Sequence, residues 1–285
     1  MQSSSGTENE RRFYRQVLQD LTSGQIPFLV GGAQMVERYS GILRELKDLD
    51  LYLRPKDVES ALELLSIAGH RTQMCFPHWL AKVSNGTYFV DVIFSSGNGI
   101  CEVNDPWFDH AVEGEVFGIP VRFCPPEEMI WSKAFIMERE RYDGADIAHL
   151  FRACGEHLDW RHLLHRFEAH WRVLFSHLIL FGFIYPTERS RIPEWLMTEL
   201  VGRLHNETGV VAEAPRLCQG TLLSRIQYLQ DITEWGYQDA RLPPFGTLTP
   251  EQAALWTGAA ENQSSSSDMN ATFNSFQKGE RHETE

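Results

Sequence analysis

Three carboxylates stand out by type and spacing. In Lys47-Asp48-Leu49-Asp50-Leu51-Tyr52-Leu53 the leucines recur at every second position. In a strand they share one face, and Asp48 and Asp50 share the other. Neighbouring acids on one strand face repel, and aspartate is a poor strand former, so the pattern calls for a cation between them. Mg²⁺ (or Mn²⁺) suits that position, because Mg²⁺ takes one or two carboxylates and completes its shell with substrate phosphates. Asp91 lies inside Tyr88-Phe89-Val90-Asp91-Val92-Ile93-Phe94, where an ionised carboxylate is costly unless it is paired or metal-bound. Asp48, Asp50 and Asp91 around a two-metal centre would suit phosphoryl-type transfer: one ion activates an attacking hydroxyl, the other offsets charge on the departing pyrophosphate. The competing structural reading has Asp48 capping a turn, Asp50 in solvent and Asp91 ion-paired.

Upstream, Phe28-Leu29-Val30-Gly31-Gly32 reads as a strand running into a glycine pair and then a helix. Gly31 and Gly32 would let the backbone approach a phosphate, and the free N–H groups of the helix start favour anions. Downstream, Lys133 sits beside Met129, Ile130, Ala134, Phe135 and Met137, at the edge of a helix's apolar face. Asp143 and Asp146 fit a capping-box-like helix start. Arg139 and Arg141 alternate with Glu138 and Glu140, a pattern that reads as a solvated face. His162 and His165 are spaced as HxxH without a third ligand, which reads as ordinary surface or satisfied histidine.

The glycine pair, a spacer with Arg44 and Lys47, Asp48-Leu49-Asp50 and the later Asp91 together resemble the DNA polymerase β-type nucleotidyltransferase superfamily. Within it the chain looks most like the sub-group of AbiEii-type toxins and related bacterial nucleotidyltransferase-like proteins. The resemblance spans about residues 26–150. It implies that Asp48 and Asp50 bind both metals, that Asp91 completes the catalytic metal's shell, and that Gly31, Gly32 and Lys133 bind the nucleotide. Arg44, Lys47, Asp143 and Asp146 would stand behind these contacts. Two positions depart from the family pattern: Gly32 stands where many members carry serine, and Tyr142 where a second lysine is usual.

The elements that must carry these residues follow from periodicity and punctuation. A helix is expected over Glu10 to Ser23, strands at Ile26 to Val30, Asp48 to Leu53 and Val121 to Phe123, and a helix over Val58 to Ala68. Asn85-Gly86 between His78–Val83 and Thr87–Phe94 signals a hairpin. After Pro125-Pro126 helices are expected near 127–141, 144–154, 159–170, 171–183, 193–205 and 219–235. The fold class is therefore α+β (α/β): a nucleotidyltransferase-type mixed sheet flanked by helices, then an all-helical C-terminal domain. The boundaries read as a disordered tail 1–9, a core 10–125, a helical domain 126–257 and a disordered tail 258–285, both tails being too polar to offset ordering entropy.

Bulk composition narrows the partners. The 285 residues are 42% hydrophobic, with 39 acids against 26 bases and a formal charge of −13. Such an acidic chain disfavours non-specific binding to nucleic acid or anionic membranes. Five scattered cysteines make neither a disulfide framework nor a zinc site. No segment reads as a signal peptide or a membrane span, so a cytoplasmic protein is expected. The function read from these features is transfer of NMP from an NTP such as ATP to an unknown acceptor (RNA, protein or small molecule), with an antitoxin partner implied if the toxin resemblance extends that far. The alternative is a catalytically silent nucleotide-binding or protein-interaction module on the same fold.

Overall fold

The computed structural model describes residues 3–43, 48–207 and 216–264. Arg44, Lys47 and residues 265–285 of the expected C-terminal tail lie outside the described residues.

The chain opens with α1 (Ser3–Ser23), whose Phe13, Tyr14, Val17, Leu18 and Leu21 form one buried stripe at helical spacing. It starts within the segment expected to be disordered. β1 (Leu29–Val30) leads through Gly31 into α2 (Gly32–Ser40). β2 (Leu49–Tyr52) is followed by α3 (Pro55–Ile67), with proline in the first turn, where its missing N–H costs nothing. Then come β3 (Arg71–Phe76), β4 (Leu80–Ser84), β5 (Phe89–Ile93), α4 (Asp105–Asp109), β6 (Val112–Val116) and β7 (Ile119–Phe123). The helical half holds α5 (Pro126–Ala134), α6 (Gly144–Cys154), α7 (Trp160–Phe167), α8 (Trp171–Ile184) and α9 (Glu194–Glu207). A return segment follows, with β8 (Leu217–Cys218), α10 (Leu229–Thr233), β9 (Gln238–Asp239) and α11 (Pro250–Ser264).

Seven strands make one mixed sheet in the order β3-β4-β5-β2-β1-β7-β6, and β8 and β9 make a separate parallel pair. β2 runs antiparallel to β1 and parallel to β5. The alternation read from the sequence holds here. Leu49, Leu51 and Leu53 are fully buried and meet Val90 and Val92 in register, so the opposite face carries Asp50 and Asp91 side by side. One hydrophobic cluster runs from Phe13 through the sheet and the helices to Leu200, Leu222 and Ala240.

Buried polar contacts fix the helices against one another. Glu128 on α5 has no exposed surface; its Oε1 accepts from Arg166 at 2.8 Å and lies 2.7 Å from His162 Nε2, both on α7. Thus the first histidine of HxxH is satisfied by a structural contact with a buried carboxylate.

Several elements differ from the sequence reading for identifiable reasons. The hairpin loop spans Asn85 to Tyr88 rather than two residues, because the Asn85 carboxamide oxygen accepts the amides of Thr87 and Tyr88. β3 and β6, RTQMCF and VEGEV, lack an apolar alternation; both are edge strands, where polar side chains are normal. α5 stops at Ala134, so Arg139 and Arg141 lie on a loop closed by the Met137–Tyr142 bridge. The single helix expected over 219–235 is broken, because its backbone is used elsewhere. The Leu222 carbonyl accepts from Asn98 Nδ2 at 2.8 Å, and that of Leu223 accepts the Met137 amide at 3.1 Å. α11 runs past residue 258, where the sequence reading begins the tail, and its Trp256 packs against Phe76 and Trp79. Among the described residues no helix is long and apolar enough to cross a membrane.

Candidate active site

The site lies on the sheet face opposite the leucines. Asp50 and Asp91 are Cα partners across the parallel β2–β5 pair, and Lys82 is the antiparallel partner of Asp91 on β4. Three adjacent strands therefore set Lys82, Asp91 and Asp50 in one row. Lys82 Nζ donates to Asp91 Oδ1 at 2.7 Å. Asp48 precedes β2 by one residue and, two positions from Asp50, falls on the same side.

Charge crowding is the dominant feature. The Asp50 carboxyl is pushed up to about 7, first by burial and then by the negative charges of Asp48 and Asp91; Lys133 and Arg141 oppose the shift. Asp91 is also raised, because burial outweighs the help it receives from Lys82. Burial works against the Lys82 ammonium, yet the carboxylate beside it keeps its pKa above the ordinary lysine value. Burial and Asp50 together hold the Tyr52 phenol well above its usual range.

The glycine pair has a steric role that the sequence did not reveal. Gly32 has φ +55°, and a Cβ there would fall 1.7 Å from Asp50 Oδ2. At Gly31 a Cβ would meet the Tyr52 ring at 2.3 Å. The Gly31 amide donates to the Asp50 carbonyl at 3.0 Å. Both glycines thus let the start of α2 close onto β2, which brings the N-terminal end of a helix to the Asp50 carboxylate. That end favours anions.

A second set of charges backs the first. Lys133 Nζ on α5 lies 2.8 Å from Asp143 Oδ2 and 2.9 Å from Asp146 Oδ2. Arg141 grips Asp143 with two bonds of 3.0 Å. Burial alone would raise the Asp143 carboxyl, but Arg141 and Lys133 hold it at about 2. The helix-capping reading of Asp143 is overturned: its side chain makes no cap bond to α6, because both oxygens are taken by cations. Arg141 is exposed, as the solvated-face reading has it, yet the loop also turns its guanidinium onto Asp143 and within electrostatic reach of Asp50. His78, at the start of the hairpin, bonds the Gly97 carbonyl at 3.1 Å.

Of the expected residues, then, Asp50, Asp91, Gly31 and Gly32 come together, Asp48 and Lys133 lie within electrostatic reach of Asp50, and Asp143 and Asp146 sit behind Lys133. Sequence reasoning missed Lys82, Arg141 and Tyr52. A four-residue loop in the hairpin would have paired Lys82 with Asp91; the two-residue turn did not. Among the described residues no three His, Cys, Asp or Glu side chains converge at metal-ligand spacing.

Two outcomes follow for metal-free protein. The Asp50 carboxyl binds its proton more tightly folded than unfolded, so stability falls as pH rises from about 4 to about 7 and the loss is complete above that window. Asp50→Asn removes the penalty, and its thermal midpoint at pH 8 in EDTA should exceed that of the parent by a few degrees, about 1 kcal/mol or more. At pH 4 the two midpoints should converge. Gly32→Ala should cost about 2 kcal/mol or more, through the left-handed φ and the clash with Asp50. Urea denaturation measures it, and an unchanged midpoint would contradict the packing described.

No curated protein sequence matches the chain. Among solved structures, ANT(2″)-Ia in complex with adenylyl-2″-tobramycin is 17% identical over 57% of this chain and 99% of its own, with a TM-score of 0.41. Lincomycin-bound LnuA, a lincosamide antibiotic adenylyltransferase, is 14% identical over 49% of this chain and 94% of its own, TM-score 0.35. An antigenic nucleotidyltransferase-like protein from Paracoccidioides brasiliensis is 15% identical over 59% and 92%, TM-score 0.34. All three scores lie below 0.5, so the family assignment rests on sequence alone. Residues 10–169, more than half of the chain, match the family described as nucleotidyl transferase of unknown function (DUF2204), and the chain belongs to that family.

Proposed function

We propose that this protein transfers NMP from an NTP to an acceptor hydroxyl or phosphate, releasing pyrophosphate, at the carboxylate row of β2 and β5. The observation that carries the reading is the Asp50 carboxyl, held up to about 7 by burial and by Asp48 and Asp91 on a face that α2 approaches through two obligatory glycines. A group so crowded by like charge is relieved by a divalent cation. The donor set fits Mg²⁺ or Mn²⁺, with Asp48 and Asp50 as the residues that would hold it. When bound, such an ion would neutralise triphosphate charge and assist departure of pyrophosphate.

The chain's own groups have separable tasks. The start of α2, reached through Gly31 and Gly32, would receive phosphate oxygens. Lys133 and Arg141 hold Asp143 and Asp146 and extend positive potential toward Asp50; this supports a field role for Lys133 beside the direct contact that family resemblance implies. Asp91 keeps one oxygen, Oδ2, outside its bond to Lys82 and faces the reacting side of the sheet. Its raised pKa suits accepting a proton from an acceptor hydroxyl. RNA, protein side chain and small molecule stand open as acceptors, and the acidic balance weighs against RNA. The same reading carries a cytoplasmic location. A partner antitoxin belongs to it only through the sequence resemblance.

Two observations favour the silent-module alternative: Asp91 is already paired with Lys82, and no three metal-ligating side chains converge among the described residues. Incubation with each α-labelled NTP, Mg²⁺ or Mn²⁺ and cell lysate separates the two. Transfer of label to an acceptor, with at least a hundredfold loss in Asp50→Ala that keeps its circular dichroism, is the expected result. Nucleotide binding with neither label transfer nor pyrophosphate release from any of the NTPs would establish the module.

A further inference from the structure

We infer that Lys82 stands in for the second metal ion of the transfer site, so that the protein works with a single divalent cation between Asp48 and Asp50. The inference rests on the transfer reading above and specifies how its charge is balanced.

The geometry begins with register. Lys82, Asp91 and Asp50 are consecutive partners across β4, β5 and β2. Ladder hydrogen bonds fix that pairing, so the lysine stem starts beside Asp91 whatever rotamer it adopts. Its ammonium lies 2.7 Å from Asp91 Oδ1 and 5.8 Å from the centroid of the Phe89 ring, which favours a cation there. Lys82 is a compact point charge, the kind of group that can occupy the place of an ion beside a carboxylate. A second divalent ion on Asp91 would have to approach that ammonium closely, and like charges at such a separation in a partly buried site repel strongly.

Charge balance points the same way. Asp48, Asp50, Asp91, Asp143 and Asp146 face Lys82, Lys133 and Arg141, which leaves two negative charges. One divalent ion balances that charge before nucleotide arrives, and any further ion would have to be matched by charge the triphosphate brings. Lys133 and Arg141 are already bonded to Asp143 and Asp146, so Lys82 is the cation placed directly on the Asp50–Asp91 row. The lack of three converging metal-ligating side chains among the described residues agrees with a two-carboxylate site.

Native mass spectrometry of the full chain with MnCl₂ and the α,β-methylene analogues of the four NTPs counts ions per protein–nucleotide complex. The wild type should carry one manganese, Lys82→Met two, and Lys82→Arg one again, because the charge is restored. A purely structural lysine would leave that count unchanged. Two ions in the wild type, or one in a folded Lys82→Met, overturns the inference while leaving nucleotide transfer standing. No complex with any of the four analogues removes the transfer reading and the inference with it.

Discussion

The structure is organised around carboxylates forced together on one face of a sheet. Asp50 and Asp91 are neighbours because β2 and β5 pair in parallel, and Asp48 joins them through the two-residue repeat. Such crowding is unfavourable in the isolated protein. Its surroundings temper it without cancelling it. Lys82 is bound to one acid, Lys133 and Arg141 act from a distance, and the face remains half-buried. A site that keeps an unresolved electrostatic cost is suited to a cation or a charged substrate, whose binding releases that cost.

The glycine turn and the carboxylates form one unit. Because Gly32 has no side chain, the Asp50 carboxylate occupies the space a Cβ would need, and the helix start closes on it. The helix end and the acid are thereby held at a distance that loops alone would not maintain. Tyr52, stacked on Trp107 at 5.3 Å, packs against Gly31 and fixes the other side of the same joint. The helix start proposed to accept phosphate and the acid proposed to hold the metal are thus coupled through packing, and a change at either propagates to the other.

The helices beyond the sheet supply the counter-charge and its rigidity. Lys133 on α5 and Asp146 on α6 meet only because those helices pack together, and the loop between them brings Arg141 back onto Asp143. Glu128 with Arg166 and His162 pins α5 to α7. Buried ion pairs of this kind contribute little net stability, since desolvation offsets attraction; here they set orientation. The return segment, which lies beyond the residues matched by the family, steadies the loop carrying Arg141 through the Met137–Leu223 bond and the Glu138–Arg225 ion pair at 3.1 Å.

Local spacing by itself determined which faces the side chains take. Strict alternation around Leu49, Leu51 and Leu53 put the two acids opposite the core, a buried-strand pattern enclosed Asp91, and glycines marked the joint before α2. These are short-range consequences of backbone geometry, and a sequence carries them openly. Only the tertiary structure decided what the acids face. The partner of Asp91 depends on a four-residue loop that Asn85 closes with its side chain, shifting the register to Lys82. Asp143 passed from helix cap to ion-pair partner because Lys133 on α5 and Arg141 on the intervening loop both reach it, and a charge-assisted bond outweighs a cap. The helix read over 219–235 gave way because long-range partners took its backbone groups. Periodicity fixes direction along one element, whereas pairing between elements is set by packing and register, which no single segment encodes.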